Sequence, residues 1–371
     1  MTRGRGARHA EDRGELIDAE PIDEVHPQQV ALARLERCEC STTREIKLVQ
    51  DGVSQHLAIA YQRERATADQ GPIFQDVMLA QSSEFGATWS TEMIATPSMP
   101  NAADEMETPT VAIEAGWQFV AFYQSYSPDP VQRCGTELCG LVRLESRNGE
   151  TGAWDDMALP PTSTGSDCDS VTPSISIGVD LEPSVAFTEF TDDSDENISY
   201  YYGGSSHVAF DTNGEKLSVT GVSLVVEDET PLVAATATRQ DASNDNVWFA
   251  AGSDQTGTSW TAVQNMPPNG PNNMSGYVSL AERDSSYSIV SDFEGVDGAG
   301  APAQCGGPNL STSTNAGATW SSCGVDPDAA DSYAGLYATV QYASTGKRVV
   351  AYYYTTPGTS LDDGIIVWRE P

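Results

Sequence analysis

The sequence predicts an all-β fold, a six-bladed β-propeller, and three observations support this prediction. One octapeptide recurs at three places in the 371 residues. Short runs of β-branched and aromatic residues alternate with turns of Gly, Asn, Asp and Ser, and helical periodicity is nearly absent. A unit of two strands joined by a turn recurs six times and uses up the chain beyond about residue 40. We therefore expect one propeller domain over residues 41–371.

The recurring octapeptide has Ser at its first position, Gly at its fifth and Trp at its eighth. The copies run Ser82-Ser83-Glu84-Phe85-Gly86-Ala87-Thr88-Trp89, Ser253-Asp254-Gln255-Thr256-Gly257-Thr258-Ser259-Trp260 and Ser313-Thr314-Asn315-Ala316-Gly317-Ala318-Thr319-Trp320. A degenerate copy ends at Trp154, and Asp211-Thr212-Asn213-Gly214 has the composition of an eroded one. Three good copies in one chain are unlikely to arise by chance.

The octapeptide has a clear physical logic as a turn. A polar side chain at the third position, such as Glu84 or Asn315, hydrogen-bonds the turn backbone, Gly adopts a positive φ, and Trp packs between adjacent sheets. The pattern resembles the Asp-box, S-x-D-x-G-x-T-W. This resemblance implies an architectural role, in hairpins of the outer strands on the rim away from the functional face.

The two-strand unit has Ala or Val near the centre of its second strand. The six copies begin 48 to 64 residues apart, the length of a propeller blade with its loops. They cover residues 46–61, 110–123, 174–187, 222–235, 278–293 and 338–352.

The first 40 residues are polar and charged and have no strand periodicity. We predict a flexible or weakly helical arm over residues 1–40. No apolar core of a signal peptide is visible near Met1. No run approaches the roughly 18–20 apolar residues that span a bilayer, so we expect no membrane insertion.

The charge is strongly acidic: 19 Lys and Arg stand against 54 Asp and Glu, for a formal net charge of −35. Such a surface repels phosphates, which argues against nucleic acid and anionic membranes as partners. It suits a protein kept soluble at high ionic strength, and equally an ordinary acidic secreted protein. We expect a monomer.

Seven cysteines favour disulfides. Cys134 and Cys139 bracket a short loop, and Cys305 and Cys323 flank another segment, so both are candidate pairs. A zinc site is the alternative, but the four His lie away from the cysteines and no paired C-x-x-C motifs occur. Disulfides point to a secreted or cell-surface protein.

The acidic run 192–197 has the composition of a calcium loop, but it lacks the Gly and the distant Glu of an EF-hand. A solvated turn is the favoured interpretation, with Ca²⁺ the weaker alternative. We predict no other cofactor and no other metal site.

The first blade carries a second resemblance. His56-Leu57-Ala58-Ile59-Ala60-Tyr61-Gln62-Arg63, followed by Asp69, resembles the first blade of sialidases, which reads roughly LLAFAE-x-R with an acidic residue a few positions on. The stretch Thr238-Arg239-Gln240-Asp241 is similar to the sialidase strand that carries an Arg of the carboxylate-binding triad. The segment 333–352 is similar to the blade that supplies the nucleophilic Tyr.

The sialidase resemblance implies a site for an acidic sugar. Asp69 would be the general acid, Tyr337 or Tyr333 the nucleophile, and Arg44, Arg63, Arg239 and Arg283 would bind the substrate. Arg forks hold a carboxylate bidentately while an activated Tyr attacks an oxocarbenium-like anomeric carbon.

The catalytic set is incomplete. The opening Arg-Ile-Pro of sialidases appears here as Arg44-Glu45-Ile46, and Ser223 or its neighbours replace a Glu expected before Arg239. The resemblance therefore implies a glycan-binding propeller and leaves exo-acting glycoside hydrolysis open as its activity. The alternative is a non-catalytic extracellular interaction or assembly propeller that has lost the catalytic set.

Overall fold

A computed structural model describes the chain from β1 to residue 370, with gaps. The described residues are 46–50, 56–65, 74–84, 86–96, 106–124, 133–134, 137–138, 140–149, 152–160, 162, 170–190, 196–210, 217–239, 245–266, 277–292, 308–325, 334–343, 345–354 and 364–370. These residues form β-strands and turns, with no helix among them. The predicted N-terminal arm over residues 1–40 lies outside the described residues.

The described strands form six successive antiparallel sheets, which are the blades of the propeller. Blade 1 is β1 (Ile46–Gln50), β2 (Leu57–Arg65), β3 (Phe74–Ser82) and β4 (Ser90–Ala95). Blade 2 is β5 (Met106–Glu114), β6 (Trp117–Gln124), β9 (Leu141–Asn148) and β10 (Asp155–Ala158). Between β6 and β9 lies a small hairpin of β7 (Arg133–Cys134) and β8 (Glu137–Leu138). Blade 3 is β11 (Ser170–Ile177), β12 (Pro183–Phe190), β13 (Glu196–Tyr202) and β14 (Ser205–Phe210).

The remaining three blades follow the same order. Blade 4 is β15 (Leu217–Glu227), β16 (Thr230–Arg239), β17 (Asp245–Ala251) and β18 (Gln264–Met266). Blade 5 is β19 (Val278–Arg283), β20 (Ser286–Ser291), β21 (Asn309–Ser313) and β22 (Ser321–Gly324). Blade 6 is β23 (Ala334–Tyr342), β24 (Arg348–Tyr354) and β25 (Gly364–Arg369). The six predicted two-strand units are the first two strands of the blades, and Ile46 pairs with Tyr61 as the first unit requires.

The first strands of neighbouring blades lie side by side and run in the same direction. Serines on one first strand accept hydrogen bonds from backbone N–H groups of the next. Ser174 Oγ accepts from Leu224 N at 3.0 Å, and Ser223 Oγ accepts from Leu280 N at 3.0 Å. Ser279 Oγ accepts from Val340 N at 3.2 Å. These bonds connect blades 3 to 6 in sequence.

Because every sheet is antiparallel and the blades share one direction, the propeller has two ends. At one end lie the turns that join first to second strands and third to fourth strands. We call this end the turn end. There Glu227 Oε1 of one blade accepts from Ser285 N of the next at 3.2 Å. We call the opposite end, where the second strands finish, the connection end. The segments that join second to third strands, and one blade to the next, belong to it.

The three octapeptides occupy the turns between third and fourth strands. In the first copy, buried Ser82 Oγ accepts from Gly86 N at 2.8 Å, and Trp89 Nε1 donates to Gly86 O at 3.1 Å. The third copy repeats the bond, from Gly317 N to Ser313 Oγ at 2.9 Å. The segment 152–154 occupies the same turn of blade 2.

Glycine is required in the octapeptide turn for two reasons. Gly257 has a φ of +64°, and a Cβ there would lie 2.3 Å from the ring of Tyr200. Trp260 packs edge-on against that same Tyr200, with ring centroids 5.3 Å apart. In the third copy Trp320 packs edge-on against Phe249 of blade 4. These Trp side chains therefore reach the preceding blade.

Blade 3 has no octapeptide in the turn between its third and fourth strands. That turn is Tyr202-Gly203-Gly204-Ser205, a tight turn with positive φ at both glycines. The segment 211–214, interpreted above as an eroded copy, follows β14 in sequence and lies outside the described residues.

The hydrophobic core lies between blades. Ala60 and Val77 of blade 1 pack against Val111 and Phe122 of blade 2. The same pattern recurs at the other described seams, where Ala and Val of second strands contact the next first strand. Burial of these apolar faces, at about 25 cal/mol per Å², is the main force that holds blade to blade.

Candidate functional site at the connection end

The best-defined polar cluster at the connection end surrounds Arg63. Cross-strand pairing of β2 with β3 places Arg63 opposite Asp76. Arg63 Nη2 donates to Asp76 Oδ2 at 2.8 Å, and Thr96 Oγ1 donates to Asp76 Oδ1 at 2.7 Å. Both carboxylate oxygens of the fully buried Asp76 are therefore bonded. Asp76 fixes the guanidinium of Arg63 in one orientation.

The Arg63 side chain is only partly covered. Its exposed fraction is 44%, whereas that of Asp76 is 0%. A guanidinium has five N–H donors in a fixed fork, so one bond to Asp76 leaves others directed outward. Such a fork binds carboxylate or phosphate oxygens bidentately. Arg63 is therefore a half-exposed cation near the end of β2, held at one nitrogen by Asp76.

A second buried carboxylate lies near the end of β12. Glu189 Oε2 accepts from Thr162 N at 3.0 Å, from Thr162 Oγ1 at 2.5 Å and from Ser199 Oγ at 2.6 Å. Glu189 is fully buried. These donors stabilise a carboxylate that burial alone would disfavour. Glu189 of β12 thereby links Thr162, which precedes blade 3 in the chain, to Ser199 of β13.

Two buried amides lie on the other face of blade 1. Gln62 and Gln75 are diagonal neighbours on β2 and β3, on the face that carries Ala60 and Val77 towards blade 2. Their exposed fractions are 3% and 7%. Gln62 Nε2 and Gln75 Oε1 have no hydrogen-bond partner among the described residues. A buried donor and a buried acceptor without partners in the described part of the chain make this part of the connection end polar. Leaving both groups without a hydrogen bond costs free energy of folding.

The predicted site residues fall into three groups. Arg44, Asp69 and Tyr333 lie outside the described residues. Arg239 is the last residue of β16 and Tyr337 lies in β23, but only the backbone of each is described. Arg63, two residues before the end of β2, and Arg239, the last residue of β16, thus both lie near the connection end. Their roles, and those of the three residues outside the described part, stay predictions.

Arg283 lies at the opposite end from Arg63. It is the last residue of the first strand β19 and therefore belongs to the turn end. Its Nη1 donates to the backbone oxygen of Ala343 in blade 6, and its Nε lies 3.5 Å from Asp284 Oδ2. The antiparallel order of β19 and β20 separates it from any pocket that contains Arg63. The structure thus does not bring Arg283 together with the other predicted arginines.

Sequence reasoning missed Asp76, Thr96 and Glu189. Asp76 follows Arg63 by thirteen residues, across the turn of a hairpin, so no local motif links them. The register of β2 against β3 would have revealed the pair, because it puts Arg63 opposite Asp76. A charged residue in an otherwise apolar strand was the available signal.

The predicted disulfides and calcium loop lie mainly in undescribed parts. Cys134 and Cys323 lie in β7 and β22 with only their backbone described, and Cys139 and Cys305 lie outside the described residues. Of the acidic run, only Glu196 and Asn197 are described, at the start of β13. The described part of the chain contains no group of three His, Cys, Asp or Glu arranged to hold a metal. It also contains no helix long and apolar enough to cross a membrane.

Comparison with known proteins gives structural neighbours only. No protein-family model matches the chain, and no curated protein matches it in sequence. A solved structure of a protein of unknown function from Dyadobacter fermentans matches with a TM-score of 0.55 and 14% identity, over 88% of this chain and 94% of that one. The Hadza microbial sialidase Hz136 matches with a TM-score of 0.53 and 14% identity, over 84% of this chain and 63% of that one.

A Trypanosoma rangeli sialidase, solved with the inhibitor DANA, matches with a TM-score of 0.54 and 11% identity, over 88% of this chain and 55% of that one. The chain has a sialidase-like fold. The chain spans less than two thirds of the length of these two sialidases, and identities of 11–14% carry the fold alone. The Arg63–Asp76–Thr96 cluster, and not these comparisons, places the candidate site at the connection end.

Proposed function

We propose that this protein is a glycan-binding propeller that hydrolyses terminal acidic sugars at its connection end. The observation that carries the proposal is the Arg63–Asp76–Thr96 cluster, which holds a half-exposed guanidinium in a fixed orientation. The sialidase-like fold adds support, because solved neighbours include a T. rangeli sialidase in complex with sialic acid. We further propose that the protein acts at the cell surface or after secretion.

In the proposed site, Arg63 and Arg239 bind the carboxylate of the sugar. Arg63 lies near the end of β2 and Arg239 at the end of β16, both at the connection end, and Arg44 belongs to the sequence before β1. The net charge of −35 repels an anionic substrate, so its binding requires local N–H donors. The Arg63–Asp76 pair is neutral as a whole, so the net attraction depends on the outward N–H donors.

The proposed chemistry is double displacement. Tyr333 or Tyr337 gives its phenolic proton to a neighbouring carboxylate base and attacks the anomeric carbon, while the leaving oxygen takes a proton from Asp69. Water then cleaves the tyrosyl-sugar bond, with Asp69 accepting the water proton and the released phenolate regaining its own from the base. Asp69 belongs to the segment between β2 and β3, and Tyr333 directly precedes β23. The segments that carry both residues join strands at the connection end.

Hydrolysis of a fluorogenic sialoside by the full chain, at low and high salt, tests this function. We expect turnover by the wild type and a loss of roughly 100-fold or more in Arg63→Ala and Arg239→Ala, because misplaced substrate costs about that much. Arg143→Ala is the matched control, because Arg143 also pairs with an Asp across two strands, Asp156, but in the outer part of blade 2. It should retain turnover.

Absence of turnover by correctly folded wild type would refute hydrolysis. Binding of free N-acetylneuraminic acid, measured by ligand-observed NMR, would then separate the remaining functions. Binding that Arg63→Ala abolishes would leave a sialic-acid-binding propeller. Absence of binding as well would favour the non-catalytic interaction or assembly propeller.

A further inference from the structure

Two glutamates of neighbouring blades face each other at the turn end of the seam between blades 4 and 5. Glu227 is the last residue of β15, and alternation along the strand puts it on the face that carries Val225. Glu282 is the last residue but one of β19, on the face that carries Leu280. Val225 and Leu280 pack together in the core between the two blades. Both carboxyl groups therefore point into this seam, on the other side of the propeller from the proposed sugar site.

A buried tyrosine and a backbone amide complete the cluster. Tyr287 of β20 lies opposite Glu282 in the strand register and is 5% exposed. Its ring packs against Phe249 of blade 4, with centroids 5.8 Å apart. Burial and the nearby carboxyl groups of Glu227 and Glu282 raise the pKa of Tyr287 to about 12. Ser285 N donates to Glu227 Oε1 at 3.2 Å, so blade 5 supplies one donor to this carboxylate.

The ionisable side chains around the pair do not neutralise it. Apart from the pair itself, the described ionisable side chains of β19, of the two adjoining turns and of β23 are three carboxylates, one guanidinium and one phenol: Asp228, Glu229, Asp284, Arg283 and Tyr342. The guanidinium extends from the opposite face of β19 and donates to the backbone oxygen of Ala343 in blade 6. These described groups thus place no positive charge between Glu227 and Glu282.

One proton is sufficient to make the contact between the two carboxyl groups favourable. Two ionised carboxylates in contact repel each other, and a single shared proton removes this repulsion. Burial raises the pKa of Glu282 from its ordinary value of 4.5 to about 8, and the contact with Glu227 adds to the shift. Glu282 Oε1 has no hydrogen-bond partner among the described residues, whereas Glu227 accepts from the Ser285 amide. The proton therefore resides on Glu282, which donates it in a hydrogen bond to Glu227.

We propose that a proton shared between Glu227 and Glu282 closes the turn end of the seam between blades 4 and 5, and that its loss opens this seam. Once both groups are ionised, they repel each other and water enters between the blades. The raised pKa of Glu282 belongs to the closed seam, so closure is most stable at acidic pH and weakens as pH rises from 4.5 to about 8. The propeller thereby has a pH-sensitive joint between two blades, which does not depend on the proposed sugar site.

Hydrogen exchange of the full chain, measured by mass spectrometry at about pH 5 and about pH 9 and corrected for intrinsic exchange rates, tests the joint. In the wild type, protection of the β19–β20 turn, which contains the Ser285 amide, should fall by roughly tenfold or more between the two pH values. Glu282→Gln donates an amide hydrogen bond to Glu227 at every pH, so its protection should not change. The Gly203-Gly204 turn of blade 3 serves as the internal reference.

Two further variants separate the joint from net charge and from a damaged fold. Glu229→Gln removes one negative charge from an exposed position in the adjoining turn and should keep the wild-type pH dependence. Glu227→Gln should reduce that dependence, because an ionised Glu282 then meets a neutral amide, and it replaces Glu282→Gln if that variant misfolds. The proposal is wrong if wild-type protection is the same at both pH values, if Glu282→Gln loses protection as the wild type does, or if Glu229→Gln also removes the dependence.

Discussion

At the scale of single residues, the same position of the octapeptide makes different hydrogen bonds in different copies. Ser82 is buried and its Oγ accepts from two backbone N–H groups, those of Gly86 and Glu84. Ser253 occupies the first position of the second copy but is exposed, and its Oγ bonds Ser259 and Asp254 instead. The serine at the first position therefore stabilises the turn of blade 1 and contributes little to the stability of the turn in blade 4.

Ser82→Ala should lower the free energy of unfolding by about 1–3 kcal/mol, because it leaves the Gly86 N–H buried without an acceptor. Ser253→Ala should change it by less than about 0.5 kcal/mol, since water replaces the bonds of an exposed hydroxyl. Urea unfolding of both variants measures the difference. Equal effects would show that Ser82 does not stabilise its turn through this bond.

At the scale of elements, the serines on the first strands hold neighbouring blades together. Ser223 Oγ accepts from Leu280 N, and Ser279 Oγ accepts from Val340 N. In each case a side chain of one blade satisfies a backbone donor of the next, on the strand edge that has no sheet partner. The blade seams thus combine apolar packing with a repeated backbone contact.

Ser223→Ala should speed hydrogen exchange of the Leu280 amide by roughly tenfold or more, because that buried N–H loses its acceptor. The Val340 amide should keep its wild-type rate. Ser279→Ala should give the reverse result, which makes the two variants controls for each other. Exchange that rises along the whole of blade 5 in Ser223→Ala would mean that the serine supports the blade rather than one amide.

The elements also show how far the sequence predicts this molecule. Period-2 alternation and turn residues located the first two strands of every blade, because a half-buried strand leaves that signature locally. The serine contacts between blades could not be predicted, since a Ser in a strand looks the same whether it meets water or a neighbouring blade. Arg63 was predicted as a binding residue, but its partner Asp76 depends on strand register. Arg283 lies at the turn end because it ends a first strand rather than a second one.

At the scale of the whole molecule, the carboxylates set how stability depends on pH. The chain carries a net charge of −35, and mutual repulsion of these charges disfavours the compact state. Burial, with Asp156 opposite, raises the pKa of Glu145 to about 7. Burial, with a hydrogen bond from the protonated Glu282 to the Glu227 carboxylate, raises the pKa of Glu282 to about 8. Both groups bind protons more tightly in the folded protein than in the unfolded chain.

A raised pKa in the folded state gives stability that is present at acidic pH and is lost as pH rises through the folded value. Glu145→Gln, which is neutral at every pH, should therefore match the wild type near pH 4.5 and be more stable near pH 8, by at most ~3 kcal/mol. Glu84→Gln removes one negative charge from an exposed turn and is the control for overall repulsion. Thermal unfolding between pH 4.5 and 8 measures both variants against the wild type.

A gain in Glu145→Gln that is equal at all pH values, or equal to that of Glu84→Gln, would show that net charge rather than burial of Glu145 governs the pH dependence. A gain that grows between about pH 4.5 and 7, and exceeds that of Glu84→Gln, would assign the pH dependence to the burial of Glu145 in blade 2.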